Sequence, residues 1–198
     1  MKKITLLCMV ALAATVSSCD KRPDVSGRWV GEPTRVQVSG TATATSTTTI
    51  DFAADGTVNF TSMVDFTEPM AERVAIDAPY GISVAATASI SGSWQFVEHE
   101  DDEIAIIFDD STLRVDIDPE AVEFTRNVIT DAQEPQVDSL KPALADTYRR
   151  MLTPAMRAEF ATYSRLEDVK TKAPFLRFET KDLQHRMDVD RTFRAVAQ

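Results

Sequence analysis

Residues 35–66 read RVQVSGTATATSTTTIDFAADGTVNFTSMVDF. Their period is two. Val36, Val38, Gly40, Ala42, Ala44, Ser46, Thr48, Ile50 and Phe52 alternate with Arg35, Gln37, Ser39, Thr41, Thr43, Thr45, Thr47, Thr49 and Asp51. One face is apolar or small and the other is Thr/Ser-rich, the pattern of a half-buried antiparallel strand. Residues 53–56, Ala-Ala-Asp-Gly, form a turn in which Asp-Gly supplies positive φ. Val58, Phe60, Ser62, Val64 and Phe66 then continue the inward face. The stretch predicts a long strand over 35–52, a tight turn and a second strand.

Working outward, the alternation recurs. Ile82, Val84, Ala86, Ala88, Ile90, Gly92, Trp94 and Phe96 share one face. An acidic turn at 98–103 leads to an extended run at 104–108. Asp109-Asp110 is read as a turn into Leu113, Val115 and Ile117, and Val122 and Phe124 form a further short strand. The period then becomes helical: Leu140, Ala143, Leu144, Thr147, Tyr148, Met151 and Leu152 share a stripe. Asp138 or Ser139 is the expected cap, with Pro142 in the first turn. Thr153-Pro154 predicts a second helix, with Met156, Phe160 and Tyr163 as its stripe. Extended segments at 175–179 and 192–196 follow. Residues 68–79 read as a loop, perched where a lid would be.

The N-terminus decides the compartment. Lys2 and Lys3 precede an apolar run over 4–16, then Val16-Ser17-Ser18-Cys19. This is the layout of a secretory signal, too short to span a bilayer. It resembles a bacterial lipoprotein signal with its lipobox. That resemblance implies cleavage after residue 18 and lipidation of Cys19, with three acyl chains, palmitate among them, holding the protein to the membrane. Residues 20–24 then read as a short tether. Asp20 resembles the inner-membrane retention signal of enteric bacteria, a rule other bacterial groups do not obey. The membrane therefore stays open, with the outer one favoured.

Loss of Lys2 and Lys3 takes the net charge from −10 to −12. So acidic a chain is expected to repel nucleic acid and anionic headgroups. Cys8 lies in the signal and Cys19 is committed to lipid, which excludes a disulfide, a nucleophilic thiol and a thiolate metal site in the mature chain. The remaining 180 residues suffice for one domain over 25–198.

Seven to nine antiparallel strands in hairpin order predict a mainly β protein: a meander barrel with a helical insertion at about 138–163, before the last strands. The Gly27-Arg28-Trp29 strand, Ile50-Asp51-Phe52, Ala54-Asp55-Gly56-Thr57 and Ser91-Gly92-Ser93-Trp94 together resemble the lipocalin-like lipoprotein domains of Bacteroides-type bacteria. The resemblance covers about residues 25–125 and carries over no site residues. It implies a barrel whose Trp29 and Trp94 regions close the ends.

Small inward residues leave volume. Ala42, Ala44, Ala86 and Ala88, with Trp29, Phe60 and Trp94, are the candidate lining of a lumen for a small apolar or amphipathic ligand. The competing reading is a core filled by the helix at 139–152, in an envelope module that contacts a protein or a glycan. Other chemistry is thin. The acidic run at 98–103 lacks calcium-loop spacing. Asp116, Asp118 and Glu120 read as water-facing. His99 and His185 have no evident metal or triad partners. Residues 81–85 faintly resemble a nucleophile elbow but sit within a strand. Tyr148, Arg149, Arg150, Arg157 and Arg165 make the helical region locally basic. No catalytic residue, metal or cofactor is expected, and the chain is read as non-enzymatic.

Overall fold

The computed structural model describes residues 22–38, 42–68, 81–125, 134–182 and 187–196. The strands are β1 (Gly27–Gly31), β2 (Thr34–Val36), β3 (Thr43–Phe52), β4 (Thr57–Glu68), β5 (Gly81–Phe96), β6 (Ile104–Asp116), β7 (Val122–Thr125), β8 (Arg165–Lys172), β9 (Phe175–Asp182) and β10 (Met187–Ala195). One helix, α1 (Glu134–Ala161), separates β7 from β8. Eight strands close an antiparallel ring in the order β1-β3-β4-β5-β6-β8-β9-β10 and back to β1. Skipping β2 and β7, this is chain order, so the meander barrel expected from hairpin succession is what forms. Closure removes the exposed edges of an open sheet.

The long run over 35–52 is a hairpin, not one strand. Val36 pairs with Ala44 and Thr34 with Ser46, antiparallel. The chain reverses between β2 and β3 while the alternation carries on unbroken across the reversal, which hides the turn from a periodicity argument. β1 and β2 in fact share β3 as a partner, β1 along 49–52 and β2 along 44–46. The hairpin of β3 and β4 is as read, with Ile50 opposite Phe60 and Gly56 at φ 86° in its turn.

Asp109-Asp110 is not a turn. β6 passes straight through it, and the register jumps from Ser89↔Arg114 to Ser91↔Asp109. The extra residues bulge outward, tied by Ser111 donating to Asp109 and Thr112 bridging Asp109 to Ser91. Close approach of β5 and β6 near this point demands Gly92, where an added Cβ would lie 2.3 Å from the Ile107 carbonyl oxygen.

The two expected helices are one. Helix α1 begins at Glu134 rather than at 138–139, so Pro142 falls beyond the first turn, and it runs through Pro154. Tyr148, Leu152, Met156 and Phe160, at four-residue steps, are all buried. A continuous stripe of core contacts outweighs the hydrogen bond lost at the exposed Pro154. Thr153 turns its hydroxyl back onto the Arg149 carbonyl at 2.7 Å instead of capping a new helix. A short 3-10 turn, Thr162–Ser164, brings Tyr163 into the core. β8 was not anticipated. Its sequence is charged, and its alternation is broken by a register shift between Glu167 and Lys170, with Asp168 at φ 53°.

The turns at 53–56, 97–103 and 173–174 lie at one end of the barrel, together with residues 22–26. There Arg22 Nε meets Asp101 at 3.0 Å and its guanidinium lies over the Phe96 ring. Val25 is buried, and its carbonyl accepts the Trp29 indole N–H at 2.8 Å. This is the entry end. Among the described residues no helix is long and apolar enough to cross a membrane.

Candidate functional site

The side chains singled out in the sequence fall into two groups. Ala44, Phe60, Ala86 and Ala88 are buried in one core cluster with Leu144, Ala145, Tyr148, Leu152, Met156 and Phe160 of α1. The Phe60 ring sits 5.1 Å from Phe108, 6.0 Å from Phe160 and 5.4 Å from Tyr163. Further along, Phe66 meets Tyr148 at 4.9 Å, and the Tyr148 hydroxyl donates to Glu68 at 2.7 Å. Aromatic side chains of α1 and of the residues just after it thus pack on Phe60 and Phe66 inside the barrel.

Trp29 and Trp94 lie together at the entry end, not at opposite ends. Trp29 is buried; Trp94 is half-buried, its indole N–H donates to Ala53 O at 3.0 Å and its ring packs edge-on to Phe52 and Phe96. Ala42 stands apart, half-buried beside a shallow hollow of about 350 Å³ with Val36 and Val38 at the other end of the barrel. Cys19, Gly40, His185 and residues 69–79 of the expected lid lie outside the described residues.

The most chemically organised part of the interior was not singled out. Ser46, Thr48, Ser62 and Thr180 are buried inside the barrel. Thr48 and Ser62 share a hydrogen bond of 2.9 Å, and Ser46 and Thr48 one of 3.4 Å. Arg191 points inward from β10 in line with Phe193. Its Nε donates to Thr180 Oγ1 at 3.2 Å, its guanidinium lies 5.4 Å over the Tyr163 ring, and its Nη2 is 3.9 Å from Glu159 Oε1. Both charged side chains are mostly covered, 14% and 11% exposed. Glu159 also accepts from Thr34 of β2 at 3.4 Å.

Burial pushes the Tyr163 phenol up to about 12; Arg191 opposes this and Glu159 adds to it, with Thr48 and Glu159 hydrogen-bonded to the hydroxyl. The phenol is therefore neutral throughout the physiological range. Among the described residues no buried side-chain nitrogen or oxygen lacks a partner. The cluster pins α1 to β2, β3, β9 and β10. A signal for it existed: Ser46, Thr48 and Ser62 are polar at inward positions.

The family-model and curated-protein comparisons return no match to this chain.

The remaining candidates are surface features. The turn at 97–103 is exposed, with His99 at φ 69° beside Glu98. Among the described residues no three His, Cys, Asp or Glu side chains converge to hold a metal. Asp118 caps the 3-10 turn Pro119–Ala121. The helical-region arginines are engaged: Arg149 with Asp146, Arg157 with Asp110 at 3.0 Å and Arg165 with Glu103, while Arg150 reaches Thr147.

Proposed function

We propose that this protein is a lipid-anchored, non-enzymatic module of the bacterial cell envelope, tethered through Cys19. Its barrel is a rigid body carrying an interaction surface for an envelope protein or a glycan. The observation that carries this reading is the packing of Phe160 and Tyr163 onto Phe60, which puts the chain's own aromatic side chains where a ligand would sit. The outer sheet face suits contact rather than catalysis. Thr47, Met63 and Thr87 lie in register across β3, β4 and β5, and Met63 is 68% exposed, with Thr61 and Asp65 beside it on the same face of β4. The lipobox residues 16–19 support the anchor, and the outer membrane is the favoured one.

A carrier for a small apolar or amphipathic ligand is the second reading, favoured by the closed eight-strand barrel itself. The anchor is tested by fractionating cells that express Cys19→Ala. The variant is expected in the soluble fraction with unchanged thermal unfolding and without label from an alkyne fatty acid. Retention in the membrane, or labelling of the variant, would contradict it.

A further inference from the structure

The net charge of the chain hides a local reversal. On the outer face of β9, β10 and β1, close to the entry end, stand Arg28, Arg177, Arg194 and, at the end of β8, Lys172. All four are exposed. Arg177 lies over the Phe175 ring, and among the described residues none of the four has an ion pair. Elsewhere Arg157, Arg165, Lys170 and Lys181 each have a carboxylate partner, while Arg35, Arg114 and Arg150 are, like the four on this face, exposed and without an ion pair among the described residues. Four cations grouped on adjoining strands of a chain of net charge −10 make a face that complements an anionic surface.

The same face is apolar at Val30, Phe175 and Val196, and one step farther along β9 and β10 it carries Glu179 opposite Asp190. Val30, Phe175, Arg194 and Val196 line a groove of about 440 Å³, with Phe175 38% and Val196 40% exposed. The register sets Arg194 between Val30 and Phe175. Glu32 lines the groove and Asp51 lies opposite Arg28, yet neither pairs with these arginines. Exposed aromatic and aliphatic side chains interleaved with arginine fit the headgroup layer of a bilayer.

The position of the N-terminus points the same way. Arg22 is docked at the entry end, and Val25 is fixed in the core. From Cys19 to Arg22 is three residues, a reach of at most about 11 Å; from Cys19 to Val25 the limit is about 21 Å. A domain of this size is about 40 Å across. An anchor at Cys19 holds the entry end within reach of the lipid surface and keeps the opposite end away.

We propose that the Arg28–Arg177–Arg194 face with Phe175 and Val196 docks on the phosphate-bearing headgroups of the bilayer that holds the anchor. The basic groove then faces the headgroups, and the acidic turn at 97–103, on which Arg22 is docked, lies at the same end of the barrel. This orientation rests on the anchored reading, but the groove's affinity for headgroups is testable without the lipid.

The test uses the chain from Asp20, which contains every described element, with thermal unfolding as the check that it folds. It is co-sedimented at low salt with vesicles of phosphatidylcholine alone and of phosphatidylcholine with phosphatidylglycerol in equal parts. Binding is expected only to the anionic vesicles and is lost at high salt. Each arginine at the surface is worth about fivefold in partitioning. Arg194→Glu should therefore weaken binding by about tenfold or more, Arg28→Gln by about fivefold, and Arg150→Glu, the same charge change on α1, by less than about twofold. Equal binding to both vesicles, no binding to either, or equal losses for Arg194→Glu and Arg150→Glu would overturn the proposal. Any of these leaves the lipid anchor standing, because Cys19 is absent from the tested chain and is judged by its own variant.

Discussion

Arg191 and Glu159 are an expensive pair to bury, and their environment explains how they are kept. Thr180, Thr34 and the Tyr163 ring and hydroxyl supply the contacts that a charge loses with water. Removing Arg191 takes away the opposite charge 3.9 Å from the Glu159 carboxylate. Arg191→Met is expected to lower unfolding stability by about 2–4 kcal/mol, and adding Glu159→Gln should restore part of it, a coupling that a double-mutant cycle in urea reads directly. Tyr163 makes a pH prediction. Its folded pKa of about 12 exceeds the ordinary value of 10.0, so the fold favours the neutral phenol. That contribution is complete below pH 10 and is lost as pH rises through 12, worth about 1–3 kcal/mol in all. Between these limits Tyr163→Phe should lose stability less steeply than the wild type. Parallel stability–pH curves would show that the phenol is not buried as described. The inward polar residues Ser46, Thr48 and Ser62 were legible in the alternation. Their link through Tyr163 to Glu159 and Arg191 was not, because more than a hundred residues of chain separate Thr48 from Tyr163 and only closure of the barrel joins them.

The strands were readable wherever one face is buried, as in β3, β4 and β5, because burial imposes period two. Three elements escaped for identifiable reasons. The reversal between β2 and β3 preserves face alternation. The bulge in β6 looks like a turn because Asp-Asp-Ser offers turn hydrogen bonds that a bulge also uses. β8 carries mixed charge and a register shift, so its pattern is neither strand nor helix. In α1 the misleading feature was Pro154, which local propensity reads as a new start and tertiary packing overrides. Pro154→Ala is therefore expected to raise stability by about 1–3 kcal/mol, since the residue is exposed and the helix already passes through it. Met156→Ala, two positions along and fully buried, should cost about 2–5 kcal/mol. Chemical unfolding of the two variants checks both signs. A destabilised Pro154→Ala would mean that the proline sets a break the helix needs.

At the scale of the molecule, the sequence supported a closed meander and left the interior open between a lumen and a filled core. Counting small inward residues cannot decide this, because Ala44, Ala86 and Ala88 accommodate a ligand or a helix equally well. The contacts that favour a filled core are long-range ones, Phe60 with Phe160 and Tyr163 above all. The central claim is that this chain fills its own barrel. The most direct test is native mass spectrometry of the chain from Asp20, purified from the periplasm of the producing cell, before and after solvent extraction and again after incubation with envelope lipids. The account predicts the bare polypeptide mass in all three states. A reproducible added mass that departs with the solvent and returns with the lipids would contradict it and establish a carrier.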